Sequence, residues 1–208
     1  MTYSIQTLVC GAYQENAYLI LPEVGDECFI IDPGDDVELL RSAIRQSGRK
    51  LCAILLTHMH FDHMLGAESL IADSGAKLYA YGPDALHLND TYYNRYNEEV
   101  SVQRAPETLA PLPLAESLGL CGVHFKLLPT PGHTEGSVCF YDEENARLFS
   151  GDTLFCAGFG RTDLPTGSTA QLRRSLLFLL KNLPEQTHVY PGHGCETCIS
   201  EERRRYRL

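Results

Sequence analysis

Four times along this chain an apolar run stops short and a histidine or an aspartate follows within a few positions. Leu51 to Leu56 leads into His58-Met59-His60-Phe61-Asp62-His63. Leu127-Leu128-Pro129-Thr130-Pro131-Gly132 leads into His133, Leu148-Phe149-Ser150-Gly151 into Asp152, and His188-Val189-Tyr190-Pro191-Gly192 into His193. Short apolar runs of this kind read as strands, and a continuous one as a strand buried on both faces. Proline and glycine end a strand and let the backbone turn tightly. In α/β sheets, sites gather at the carboxyl ends of strands. The pattern therefore calls for a sheet-based fold that brings five histidines and two aspartates to neighbouring strand ends.

Residue types and spacing then point to a cation. His58 and His60 are two apart, which aims both imidazoles the same way in an extended segment and apart in a helix. Asp62 shares their parity. His63 breaks it, as expected where the chain begins to turn into a helix. Four potential ligands in six residues can serve two adjacent ions. Imidazole and carboxylate without thiolate suit Zn, Fe or Mn, and describe a reactive rather than a structural site.

The rest of the chain frames these ends. Strands are expected at Ala17–Leu21 and Cys28–Ile31, the latter ending at Asp32-Pro33-Gly34. A helix over Val37–Gln46 with Gly48 as its stop comes next, then the Leu51–Leu56 strand, a helix over Met64–Ala72 and a strand at Lys77–Ala80. Strand signals resume at Val123–Leu128, Ser137–Tyr141, Arg147–Phe149 and His188–Tyr190, with a helix over Ala170–Leu183 before the last. This alternation marks an α/β fold. The segment from Pro83 to Pro113 is rich in Tyr, Asn and Glu and reads as a helical excursion or a loop over the site.

At 208 residues the chain suits one domain, 1–208. Its net charge of −10 argues against broad nucleic-acid binding. The basic cluster Arg203-Arg204-Arg205-Tyr206-Arg207 is expected to be a solvated terminal charge run. No secretory signal is visible at Met1-Thr2-Tyr3-Ser4, and no apolar run approaches the ~18 residues that span a bilayer. Eight scattered cysteines fit reduced thiols, and the expected location is the cytoplasm. His87, His124 and His188 lie outside the strand-end pattern and are expected on the surface or in structural roles; Cys195-x-x-Cys198 is read as incidental.

Taken together, Asp32-Pro33-Gly34, Thr57-His58-x-His60-x-Asp62-His63, Thr130-Pro131-Gly132-His133-Thr134-x-Gly136, Ser150-Gly151-Asp152-Thr153-Leu154-Phe155 and Tyr190-Pro191-Gly192-His193-Gly194 resemble the metallo-β-lactamase superfamily, and within it the glyoxalase II-like hydrolases. The resemblance implies a four-layer αββα sandwich with two divalent metal ions, zinc first, iron or manganese as alternatives. It implies His58, His60 and His133 on the first metal, Asp62, His63 and His193 on the second, and Asp152 bridging. Asp62 would also steady the attacking water, and Asp32 would orient a ligand histidine by accepting its free ring N–H. Arg161, in Gly158-Phe159-Gly160-Arg161, falls where glyoxalase II proteins carry a basic residue for the glutathione carboxylate; a salt bridge to Asp163 is the competing role.

The implied activity is hydrolysis of a small-molecule thioester, with neither a nucleic-acid nor a membrane partner. The alternative is a persulfide dioxygenase with one iron, which carries a similar Gly160-Arg161-Thr162-Asp163 stretch. The sequence ends fifteen residues beyond His193, where full-length glyoxalase II has a helical domain that completes its glutathione site. That favours a short glyoxalase II-like protein or a thioester not built on glutathione.

Overall fold

Successive strand residues face opposite ways, so a strand with cover on both sides must be apolar throughout. Cys28-Phe29-Ile30-Ile31 shows how this chain uses the rule. Phe29 and Ile31 face one core cluster, while Cys28 and Ile30 face another. The computed structural model describes residues 1–95, 112–113 and 116–207. Within them, β1 (Tyr3–Cys10), β2 (Glu15–Pro22), β3 (Glu27–Ile31), β4 (Lys50–Leu55), β5 (Lys77–Ala80) and β6 (Leu112–Pro113) form one sheet in chain order. Pairing is antiparallel from β1 to β3 and parallel from β3 to β6. The second sheet follows the order β12-β11-β10-β9-β8-β7, from β7 (Ser117–Leu120), β8 (Val123–Pro129), β9 (Val138–Asp142), β10 (Arg147–Gly151), β11 (His188–Pro191) and β12 (Thr197–Cys198).

The inner faces of the two sheets meet through Tyr18, Ile20, Phe29, Ile31 and Leu55 on one side and Phe125, Val138, Phe140 and Phe149 on the other. Helices cover the outer faces. α1 (Val37–Ser47) and α2 (Ala67–Ser74) place Leu40, Ala43 and Leu70 against Leu19, Ile30 and Ile54. Two short helices, α3 (Asp84–His87) and α4 (Thr91–Asn94), follow β5. On the far side, α5 (Thr169–Asn182) sets Leu172, Leu176 and Leu179 against Cys139, Leu148 and Val189. The result is the expected αββα sandwich. Among the described residues no helix is long and apolar enough to cross a membrane.

Several local expectations change. The second helix starts at Ala67 rather than Met64, because Phe61–His63 forms a 3₁₀ turn first. Gly66 then passes so close to the Pro33 and Gly34 carbonyls that a β-carbon there would lie about 3 Å or less from both. Asp62 is thus delivered by a turn and not by strand parity. β1 was not anticipated; as an edge strand it buries only Tyr3, Leu8 and Cys10 and has no apolar run. The first part of the Tyr-rich excursion is α3 and α4, and residues 96–111 lie outside the described set.

The basic tail is not a solvated run but a docked helix, α6 (Ile199–Tyr206). Ile199 joins the outer core, and Glu202 is buried against Thr197, Ala157 and Arg205. Arg203 donates to the carbonyls of Leu180 and Leu183, so it closes the C-terminal end of α5. Arg204 and Arg207 are exposed. Arg203→Ala should cost about 2 kcal/mol, the range of lost charged hydrogen bonds. Arg204→Ala should stay within ~0.5 kcal/mol of wild type, as exposed substitutions do. Urea unfolding of both variants checks the contrast, and equal losses would refute the docking role.

Candidate metal centre

The β4 strand ends at Leu55, and the chain beyond it is pinned at once. Asp32, at the end of β3, accepts from the Thr57 backbone N–H at 2.7 Å and from Thr57 Oγ1 at 2.6 Å. The segment so fixed turns two imidazoles, His58 and His60, toward that of His133 from the end of β8. Ring centroids of His58 and His60 are 4.8 Å apart, those of His58 and His133 4.7 Å, and those of His60 and His133 4.5 Å. All three rings are buried.

A second group gathers beside the first. His193 Nε2 lies 3.3 Å from Asp62 Oδ2, and His63 Nε2 lies 3.8 Å from the same oxygen. Asp152, at the end of β10, stands between the groups. Its Oδ2 is 3.5 Å from His133 Nε2, while its Oδ1 is 3.4 Å from His63 Nε2 and 3.7 Å from His193 Nε2. The structure thus brings together His58, His60, Asp62, His63, His133, Asp152 and His193, from strand ends of both sheets.

The far nitrogen of four rings is held by the surrounding chain, which aims Nε2 inward. His63 Nδ1 is 3.0 Å from Asp32 Oδ2, His133 Nδ1 donates to the Arg161 carbonyl at 2.7 Å, and His193 Nδ1 faces the Tyr13 carbonyl at 3.1 Å. His58 Nδ1 meets Thr57 Oγ1 at 3.0 Å, and that hydroxyl in turn donates to Asp32. One carboxylate therefore orients His63 directly and His58 through a relay. Asp32 adopts φ 49°, an uncommon conformation for a residue with a side chain.

Burial and charge divide the rings. Burial holds His58 well below its ordinary range, pushes His60 down to about 3 and lowers His133. These three are neutral imidazoles, and His60 Nδ1 meets His133 Nε2 at 2.8 Å. For His63 burial works in the same direction, but Asp62, Asp152 and Asp32 overcome it and raise the ring well above its usual value. His193 is also raised, burial again being outweighed by Asp62 and Asp152. Asp62 and Asp152 are held low in return: burial would raise them, and the His63 charge wins.

Whether these residues fit a cation can be judged from atoms left without partners. Buried polar atoms are nearly always hydrogen-bonded. Here His58 Nε2, His60 Nε2, His63 Nε2 and Asp152 Oδ1 are buried with no hydrogen-bond partner, and all belong to the two groups. Donor type, convergence and orphaned atoms all fit divalent ions. The groups border a cavity of about 300 Å³ walled by Tyr13, Phe61, Phe155 and Leu164, with Arg95 and Arg161 among its lining residues. A larger groove of about 540 Å³ lies on the outer face between α1 and α2 and contains none of these histidines.

Arg161 is among the cavity residues, and its side chain pairs with Asp163 through bonds of 2.7 and 2.9 Å, the competing role expected for it. Its backbone carbonyl orients His133, a role its residue type did not reveal. His87 stacks on Tyr93, and His188 pairs with Glu196 at 2.6 Å, so both take the surface or structural roles expected.

Two further residues escaped the sequence reading. Asp84 is buried and accepts from Met59 N at 3.0 Å, Thr134 Oγ1 at 2.7 Å and Gly136 N at 2.8 Å, which ties the His58–His60 segment to the His133 loop. Glu15 is fully buried; one of its oxygens is 3.8 Å from His63 Nδ1 and neither has a hydrogen-bond partner. Burial raises its carboxyl well above the ordinary range. The available signal for Glu15 was an acidic residue opening a strand that is apolar from Ala17 onward; Asp84 offered none.

Comparison with known proteins agrees with this geometry. The metallo-beta-lactamase superfamily profile matches residues 10–193. The chain is 34% identical to a probable metallo-hydrolase, YqgX, of Bacillus subtilis, over 93% of this chain and 91% of that one. It is 32% identical to the hydroxyacylglutathione hydrolase GloC of Haemophilus influenzae, over 97% and 95%. Among solved structures it is similar to the BLEG-1 B3 metallo-beta-lactamase, at TM-score 0.89 and 33% identity over 97% of each chain. It is also similar to TTHA1623 in a di-iron-bound form, at TM-score 0.84 and 38% identity over 96% and 97%. The chain belongs to the metallo-beta-lactamase superfamily of metallo-hydrolases.

Proposed function

We propose that this protein is a dinuclear metal-dependent thioesterase of the hydroxyacylglutathione hydrolase type. The observation that carries the two-ion reading is Asp152, whose two oxygens face different histidine groups. His58, His60 and His133 would hold one ion, Asp62, His63 and His193 the other, and Asp152 both. Zinc is the first assignment for this donor set; iron and manganese satisfy the same chemistry. The thioester reading draws support from the Haemophilus relative and from a small cavity with apolar walls and arginines among its lining residues.

Two divalent cations bound here would lower the pKa of a shared water toward ~7 and polarise the acyl carbonyl. The chain's own residues do the rest. Asp62, kept ionised beside His63 and His193, accepts a hydrogen bond from the attacking water and orients it. Tyr13, Phe61, Phe155 and Leu164 limit the acyl group to a small one and exclude bulk water. Arg95 and Arg161 stand among the cavity residues, and Arg161 would meet an anionic thiol carrier by exchanging its pairing with Asp163.

Metal quantification followed by a thioester panel headed by S-lactoylglutathione tests the proposal. The panel includes a β-lactam and a persulfide with oxygen uptake recorded. Asp62→Ala and His58→Ala should abolish thioester turnover while circular dichroism shows an intact fold; wild-type rates in either variant would sink the mechanism. A fully loaded protein that turns over no thioester would redirect the substrate class.

Metal loading should release protons. The carboxylates raise both His63 and His193 above the ordinary imidazole range, so a proton held on either ring must leave before it binds an ion. Affinity at that group should therefore fall as pH falls. Calorimetric titration in buffers of different ionisation heat reads the proton count, and a count of zero contradicts the charge division described above. Asp32→Ala should weaken metal binding about 10- to 100-fold, the usual effect of losing a group that orients a ligand. Competition with a chelator measures it, and unchanged affinity would remove Asp32 from the site.

A further inference from the structure

Far from the metal centre, the two sheets also meet through sulfur. Cys52 lies near the start of β4, and the same strand reaches the histidines only beyond its other end. Cys121 lies in the turn joining β7 to β8, 69 positions away in sequence. Their Sγ atoms are 3.3 Å apart, and both side chains pack against the core between the sheets. All eight cysteines are free thiols in this structure.

The turn itself is unusual. Leu120 pairs with Val123, which leaves Cys121 and Gly122 as a two-residue hairpin loop with φ 50° and 78°. Such a loop strongly favours Asn or Asp before the glycine. A cysteine there accepts a conformation that its β-carbon disfavours, and the conformation places its sulfur on Cys52. Strained residues of this kind concentrate at sites with a function.

We propose that Cys52 and Cys121 form a redox-active pair that low-molecular-weight disulfides oxidise to an inter-sheet disulfide. Cys121 is the attacking thiol. Burial and the Glu27 carboxylate hold its thiol above the ordinary range, against the Cys52 hydrogen bond and the Arg49 guanidinium. Arg49 is anchored on the carbonyls of Gly25 and Glu27. The Cys121 sulfur attacks one sulfur of the small disulfide, forms a mixed disulfide and expels one small thiol, which takes up the Cys121 proton. Cys52, already in contact, then attacks the Cys121 sulfur. The second small thiol leaves with the Cys52 proton. Two protein thiols are oxidised and one small disulfide is reduced to two thiols. Glu27 Oε2, 3.8 Å from Cys121 Sγ, makes a thiophilic cation the competing occupant. The direct sulfur contact at 3.3 Å favours oxidation.

Oxidised glutathione added to the reduced full chain, followed by intact-mass and peptide mapping, tests this. The expected product is lighter by two hydrogen atoms, with one crosslinked peptide pair containing Cys52 and Cys121, and it melts at a higher temperature until dithiothreitol is added. Cys52→Ser should stop at a stable glutathione adduct on Cys121. Cys121→Asn keeps a residue suited to the turn, so it should fold, lose the crosslink and show no oxidant-dependent melting shift. A lasting adduct on wild-type Cys121 would overturn the proposal. So would crosslinks confined to other cysteines, or zinc retained by wild type, lost in Cys52→Ser, with no crosslink in either.

Discussion

Everything at the centre of this molecule depends on one buried carboxylate. Asp32 receives the Thr57 backbone and hydroxyl and the His63 ring, and through Thr57 it also fixes His58. One side chain at the end of β3 thereby sets ring orientations in both histidine groups. Hydrogen bonds to an ionised acceptor are the stronger kind. The left-handed backbone at Asp32 is the local cost of placing that acceptor between two strand ends.

The two sheets contribute unequal kinds of segment to the candidate centre. The first sheet supplies four donors in one stretch, His58 to His63, because a single strand end followed by a 3₁₀ turn can present a dense cluster. The second supplies His133, Asp152 and His193 from three separate strand ends. These must be held in register with the first sheet, and sheet-to-sheet bonds do this. Asn16 donates to the Pro191 and Gly194 carbonyls, Tyr18 to the Pro191 carbonyl, and Asp84 joins Met59 to Gly136. Gly192 shows how tight the register is, since a β-carbon there would lie 2.3 Å from Asp152 Oδ1.

Much of this was legible from sequence because its signals are local. An apolar run, a proline or glycine, and a ligand residue stand together within a few positions, so each strand end announces itself. Helix α1 declared its stop at Gly48, which takes φ 67°. What stayed hidden depends on partners distant in the chain. β1 is half exposed, and α6 buries only Ile199 and Glu202, so neither shows an apolar period. Asp84 acts across 50 positions to Thr134, and an Asp in a polar segment carries no mark of that. Arg161 works on His133 through a carbonyl that every residue type possesses.

The cavity has a floor and walls of different origin. Floor groups sit at the ends of strands whose side chains are locked between layers, while Tyr13, Phe155 and Leu164 stand on the connecting segments beside them. Connecting segments tolerate change that strand ends do not. The lining residues can therefore be exchanged without moving the histidine and aspartate cluster beneath them.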